Sequence, residues 1–357
     1  EERFLITGQT LSRNFAATLD LVEEMLFQPR WDAAELELLK ASVTAQLAGQ
    51  KSQPTQLAER VYDVVAYGDD HILSRNRLGT TSSVQALTMD DLKAMLELWS
   101  PANARFRVVG DVDQATAATA LGDLGARWAT RDVEVPAYAA PQPPERSQVY
   151  FYDVPGAAQS VIVFGTPSLT RADANYYPGV VMNYRLGGGG FASRLTQQLR
   201  EGAGYTYGIG SGFQARETIG DYALRSSLRS NVTLEGATLA RDIVRDYGST
   251  FTAEDLDVTK SALSRSRARA FETAGAKLGV LEAIGDYDLP VDYLSQEAAV
   301  IDTMTVEKVQ TLADELLDTD QMVYVVVGDA ATQAARLEAL GYGTPVMVKD
   351  RIEAADQ

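Results

Sequence analysis

Few residues in this chain could do chemistry. His71 is the single histidine, and there is no cysteine. A catalytic zinc site normally takes three protein ligands, and one histidine cannot supply the usual helical His-x-x-x-His pair. The chain therefore cannot by itself be a zinc hydrolase. Lack of a thiol also excludes disulfides, thiolate catalysis and Cys-ligated metal. A Ser-His-Asp triad would need His71, yet the sequence has no Gly-x-Ser-x-Gly elbow. Within Tyr67-Gly68-Asp69-Asp70-His71-Ile72, the histidine reads as a loop or surface residue beside two solvated aspartates.

The run Leu186-Gly187-Gly188-Gly189-Gly190 suggests a phosphate cradle at first sight. No Gly-Lys-Ser/Thr follows it, and the same run reads equally as a flexible connection between two helices. The next segment, from Phe191 to Gly208, is more informative. Phe191, Leu195 and Leu199 recur every four residues, which predicts a helix with that face buried. Arg200 falls about 100° past Leu199 around the axis, away from the Phe191 side. Gly202 and Gly204 should stop the helix. Tyr205, Tyr207 and Ile209 then alternate, so they are expected on one face of a strand.

The elements that must position these residues belong to an α+β protein long enough for two domains. The chain has 357 residues, with 45% apolar and 23% charged, an ordinary globular composition. Its formal net charge is −17, from 49 acidic and 32 basic residues. Such a surface repels phosphate backbones and anionic lipid, which argues against nucleic acid and membrane surfaces as partners. Apolar runs such as Met322 to Val327 are far shorter than a membrane span.

Four prolines (Pro136, Pro141, Pro143 and Pro144) crowd one short stretch and forbid a helix there, marking a linker at 136–147. Its flanks match each other. Ala34 to Lys40 pairs with Glu254 to Lys260, Tyr67-Gly68 with Ile284-Gly285, and Phe106 to Asp111 with Tyr324 to Asp329. The offset is nearly constant at about 220 residues, the signature of a duplicated domain. Arg105 to Val109 and Met322 to Val327 are expected as equivalent strands, each ending at Gly-Asp before an Ala-rich helix. The second copy also opens with strand-like runs, Gln148 to Val154 and Ser160 to Gly165. Their counterparts in the first copy would lie ahead of Glu1. The expected division is a first repeat at 1–135, incomplete at its N-terminus, the linker, a second repeat at 148–345 and a tail at 346–357.

The run Leu-Gly-Gly-Gly-Gly-Phe-Ala-Ser-Arg-Leu, continued by Leu199-Arg200-Glu201-Gly202-Ala203-Gly204-Tyr205-Thr206-Tyr207, resembles the C-terminal repeat of the M16 (insulinase/pitrilysin-type) metallopeptidases. Asp153 to Ser160, Gly79-Thr80, Leu87-Thr88 and both Val-Gly-Asp strand ends fit as well. The resemblance implies two tandem homologous M16-type α/β-sandwich domains, the first lacking its N-terminal portion. It implies that Arg200 and Tyr207, seven positions apart, bind the scissile carbonyl of a peptide and steady the tetrahedral intermediate. The family's zinc motif, His-x-x-Glu-His, would fall before Glu1. Its distal glutamate should lie around Ala41 to Gln50, where no acid occurs.

These features point to the metal-free subunit of a heterodimeric zinc peptidase. A partner subunit with His-x-x-Glu-His would supply the zinc, and this chain would bind no cofactor and be inactive alone. Two alternatives stand beside that reading: a non-catalytic M16-like scaffold, and a self-sufficient or homodimeric peptidase. Outside the resemblance, Arg200 reads as a solvated helix-end residue and Tyr207 as a packed strand aromatic. Proteins of this type are often exported, so the periplasm is the expected compartment, with the cytoplasm as alternative.

Overall fold

Every residue of Val323–Gly328 is buried, so this strand needs apolar cover on both faces. In the computed structural model, which describes residues 3–134, 136–217 and 219–356, it receives that cover. The expected limits of the first repeat, Glu1 and Val135, and the end of the tail, Gln357, lie outside the described residues. Six strands form one mixed sheet: β1 (Gln148–Asp153), β2 (Gln159–Ser168), β3 (Thr206–Ala215), β4 (Gly220–Arg229), β5 (Val323–Gly328) and β6 (Val346–Met347). Their order is β3-β4-β2-β5-β1-β6. Strand β1 runs parallel to β5 and β6, and the other pairs are antiparallel.

The period-2 alternation of the strands divides the core in two. Phe151, Ile162, Phe164, Tyr222, Leu224, Tyr324 and Val326 face one side, packed with helices that include Tyr176–Asn183, Thr233–Arg245 and Val306–Leu316. Tyr152, Val161, Val163, Val323, Val325 and Val327 face the other. There they meet Leu57, Ala58, Val61, Tyr62 and Val64 of helix Pro54–Tyr67. Pro54 sits in that helix's first turn, where its missing N–H costs nothing, and Gly68 ends it at φ 82°.

Contacts divide the chain into two compact units that are discontinuous in sequence. One contains residues through Thr44, Ser82–Ala137 and Ala268–Leu289; the other contains Ala45–Thr81, Tyr138–Arg267 and the chain from Pro290 onward. Helix Pro54–Tyr67, from the first half of the sequence, thus packs on the sheet built by the second half. Helix Ala274–Tyr287, from the second half, groups with the N-terminal helices.

The sheet belongs wholly to the second unit. In the first, helices such as Phe15–Phe27, Met89–Leu96 and Gln114–Arg127 dominate. The strand expected at Arg105–Val109 does not form among the described residues. A strand requires a neighbour to take its N–H and C=O groups, and this segment has none. Phe106 and Val108 are accordingly 42% and 37% exposed. Arg107 instead donates to the Leu281 carbonyl at 3.2 Å and pairs with Asp286, both on helix Ala274–Tyr287.

Candidate functional site

The glycine run is packed rather than loose, which corrects the flexible-connection reading. A Cβ on Gly187 would lie 2.1 Å from the Ser211 hydroxyl on β3, so only glycine allows this approach. Asn183 holds the same point, donating to the Ser211 carbonyl at 2.8 Å and accepting from its hydroxyl at 2.6 Å. Helix Tyr176–Asn183 continues into the π-helical turn Tyr184–Gly188, and a second π-helical segment spans Thr196–Gly202. Such turns are frequent at functional sites.

Phe191 departs from the expected helical face. It lies in the short 3₁₀ turn Gly190–Ala192, ahead of the helix. Ser193 is extended, and its hydroxyl accepts the Thr196 N–H at 3.3 Å as an N-cap. The helix therefore starts after Ser193. Leu195 and Leu199 are fully buried, whereas Phe191 is 68% exposed.

A buried acid braces this turn. Asp255 accepts Arg185 Nε at 2.8 Å and Arg194 Nη2 at 2.6 Å. It also takes the Thr252 N–H and hydroxyl, at 3.0 and 2.8 Å. Arg185 donates in turn to the Ala192 carbonyl. Burial opposes the charge on Asp255, but hydrogen bonds from Arg185, Thr252 and Arg194 outweigh it and hold the carboxyl down at about 2. This network was missed in the sequence. Its one local signal is Thr252-Ala253-Glu254-Asp255, the pattern of a capping box.

The helix ends as its glycines predict. Gly204 adopts φ 64°, the Tyr205 N–H reaches the Leu199 carbonyl at 2.8 Å, and the Gly204 N–H reaches the Arg200 carbonyl at 3.1 Å. The Gly204 bond is that of an αL cap, and the Tyr205 bond reaches one residue further back over the π-helical turn. This ending leaves Arg200 on the last turn, its Nε 3.2 Å from Glu201.

Strand β3 then begins with a bulge. Thr206 pairs with Leu228 but Ile209 with Ser226, so β3 carries one extra residue here. Hydroxyls fasten the irregularity: Thr206 Oγ1 donates to Ser227 O at 2.7 Å, and Ser226 Oγ to Gly208 O at 3.0 Å. The extra residue breaks the expected alternation of Tyr205, Tyr207 and Ile209. Ile209 is buried, whereas Tyr207 turns out and is 87% exposed.

Both sequence-predicted site residues meet at this corner. The Arg200 guanidinium carbon lies 4.9 Å from the centre of the Tyr207 ring and 4.7 Å from that of Phe191. The expected separation of Arg200 from Phe191 is therefore also corrected: the turn at Ser193 folds Phe191 back over the guanidinium. The Tyr207 hydroxyl has no hydrogen-bond partner among the described residues. The corner offers the half-buried Arg200 guanidinium and the exposed Tyr207 phenol as donors to an acceptor oxygen.

His71 does not join them. Its Nδ1 accepts the Leu73 N–H at 3.1 Å, and its ring stacks on Tyr67 with Tyr138 nearby. Zinc does not fit these residues, because no group of three or more His, Cys, Asp or Glu among the described residues could hold a metal.

A second cluster of charge lies where helix Pro54–Tyr67 crosses the sheet. Arg225 of β4 donates to Glu59 at 2.7 Å and approaches Asp221, which Arg216 also meets at 3.5 Å. Burial, then the negative charges of Glu59 and Asp221, push the nearby Asp63 carboxyl up to about 7.

Residues 86–263 match the model of the peptidase M16 inactive domain. The chain is 22% identical over 341 residues to an uncharacterized zinc protease of Streptomyces coelicolor, covering 92% of this chain and 73% of that one. It is 23% identical over 335 residues to the non-peptidase homolog YmxG of Helicobacter pylori, covering 92% and 76%. Among solved structures, a peptidase M16 inactive domain from Pseudomonas fluorescens matches with a TM-score of 0.80 and 27% identity, covering 87% of this chain and 74% of that chain. Residues 86–263 of this chain thus carry a peptidase M16 inactive domain, and the chain has an M16-type fold.

Proposed function

We propose that the chain is the metal-free subunit of a two-subunit zinc peptidase, in which Arg200 and Tyr207 bind the peptide carbonyl next to the bond that is cut. The observation that carries this reading is their convergence at 4.9 Å on an exposed corner. A tyrosine serving only as a packed strand aromatic would be buried, and the bulge at Thr206–Ile209 turns this one outward. Guanidinium and phenol donate, and a carbonyl oxygen accepts more strongly as negative charge develops on it. Donors already placed at that point stabilise the charge without reorganising. The two tandem repeats, at 1–135 and 148–345, and the periplasmic location are parts of the same proposal. So is the partner subunit, with its His-x-x-Glu-His motif and zinc. Fractionation of the host cells tests the compartment.

The competing reading is a non-catalytic scaffold, favoured by the name of the Helicobacter pylori relative as a non-peptidase homolog. Kinetics of a complex with an M16 protein encoded beside this gene separate the two. Arg200→Ala and Tyr207→Phe should each lower kcat by about 10²–10³, with assembly and zinc content unchanged. Unchanged kcat in folded, zinc-loaded complexes removes both residues from the mechanism. The chain alone should neither cleave peptides nor copurify with zinc; about one tightly bound zinc per chain overturns the two-subunit reading.

A further inference from the structure

We infer that Phe191 sets the specificity of the Arg200/Tyr207 corner, by providing an aromatic shelf for an apolar side chain of the bound peptide. The inference rests on the reading of that corner as a peptide site. A phenylalanine 68% exposed on a hydrogen-bonded turn has no role in the core. Leu195 and Leu199, which follow it at helical spacing, are both fully buried.

The turn that displays it is held from three directions. Gly190 enters at φ 57°, Ser193 caps the following helix, and Arg185 holds the Ala192 carbonyl while pairing with Asp255. The backbone that carries the ring is thus held before a ligand arrives, so binding there orders little of the chain.

Its placement decides what it would contact. The same guanidinium carbon lies over both Phe191 and Tyr207, at 4.7 and 4.9 Å. A peptide carbonyl hydrogen-bonded to Arg200 and Tyr207 would bring a neighbouring side chain of that peptide within one residue's reach of the Phe191 ring. An extended chain advances about 3.3 Å per residue, and the side chain of that neighbouring residue spans the rest of the 4.7 Å between guanidinium and ring. An aromatic or aliphatic side chain covers the exposed ring face and removes apolar surface from water. A positively charged side chain there would lose hydration and gain little, because Glu201 already pairs with Arg200.

The test uses the full chain and two fluorescein-labelled nonapeptides, identical except for phenylalanine or alanine at the central position. Binding is followed by fluorescence anisotropy. The wild-type chain should prefer the phenylalanine peptide by about tenfold. Phe191→Ala should abolish that preference while keeping the affinity for the alanine peptide, and Phe191→Leu should restore part of it. Arg200→Ala should weaken both peptides equally. Equal affinity of wild type for the two peptides, with Arg200→Ala still weakening both, overturns the role of Phe191 and leaves the Arg200/Tyr207 reading standing. A preference that survives Phe191→Ala overturns it too. No difference between wild type and Arg200→Ala on either peptide removes the peptide site, and this inference with it.

Discussion

The two units bury their apolar residues very differently. In the unit that holds the sheet, both faces are covered, and side chains such as Phe164, Tyr222 and Tyr324 are almost wholly out of water. In the helical unit, the buried apolar residues among those described are Leu26, Leu36, Val84 and Leu124. Leu5, Leu11, Leu21, Met25, Leu38 and Leu39 are exposed there. Amphipathic helices gain their stability chiefly from the surface they cover, and a sheet is the flat surface that can serve several helices at once. Arg200 and Tyr207 stand on the unit whose sheet is covered on both faces, and a site on packed helices and strands holds its geometry closely.

Four substitutions test that contrast, beginning with the largest effect. Phe164 packs at 4.4 Å between ring centres with Tyr324 in the sheet core. Phe164→Ala should cost about 3–5 kcal/mol, read from urea unfolding. A loss under about 1 kcal/mol would mean that the sheet core is not the stable part, and the comparison breaks. Asp255→Ala leaves Arg185 and Arg194 without their partner, at a cost of about 3 kcal/mol. It should also weaken peptide binding at the corner by loosening the Phe191 turn. Unaltered stability would show that the brace contributes nothing.

A third test exploits pH. Because the folded state holds the Asp63 carboxyl up at about 7, it keeps a proton that the unfolded chain has already released. The unit should therefore be most stable near the ordinary carboxylate range and lose stability as pH rises toward 7. Asp63→Asn removes this group's share of the slope: its Tm should exceed that of wild type at pH 8 and approach it at pH 4. Parallel Tm profiles across that range would exclude Asp63 as the titrating group. The smallest effect is expected in the helical unit, where Leu38→Ala, at a residue 65% exposed, should change stability by less than about 0.5 kcal/mol. A larger loss would break the comparison, since it would show that this face is covered in solution.

Much of the second unit could be read directly. Runs such as Val323 to Val327 are apolar at every position, and a run of that kind suits a strand buried on both faces. Gly204 ended its helix for the same reason that it could be picked out: a left-handed φ favours glycine. Supply of chemistry was equally legible, since one histidine and no cysteine limit what the chain can ligate, whatever its fold.

Other features depended on contacts that no local pattern carries. Phe191 has the same spacing to Leu195 as Leu195 has to Leu199, yet a serine cap two residues later moved it from the core to the surface. Tyr207 alternates with Ile209 in the sequence, but the bulge that separates them depends on how Thr206 and Ser226 share hydrogen bonds across two strands. Arg105–Val109 matches Met322–Val327 in residue type, and only the latter found neighbours to pair with. Helix Pro54–Tyr67 carries an apolar stripe that says it must be covered, while its partner sheet is built from strands far away in the chain. Periodicity and residue type are local and were set by the sequence; which surface meets which stripe, and which side chain is left to face a ligand, were decided by tertiary packing, because burial is a property of the neighbours.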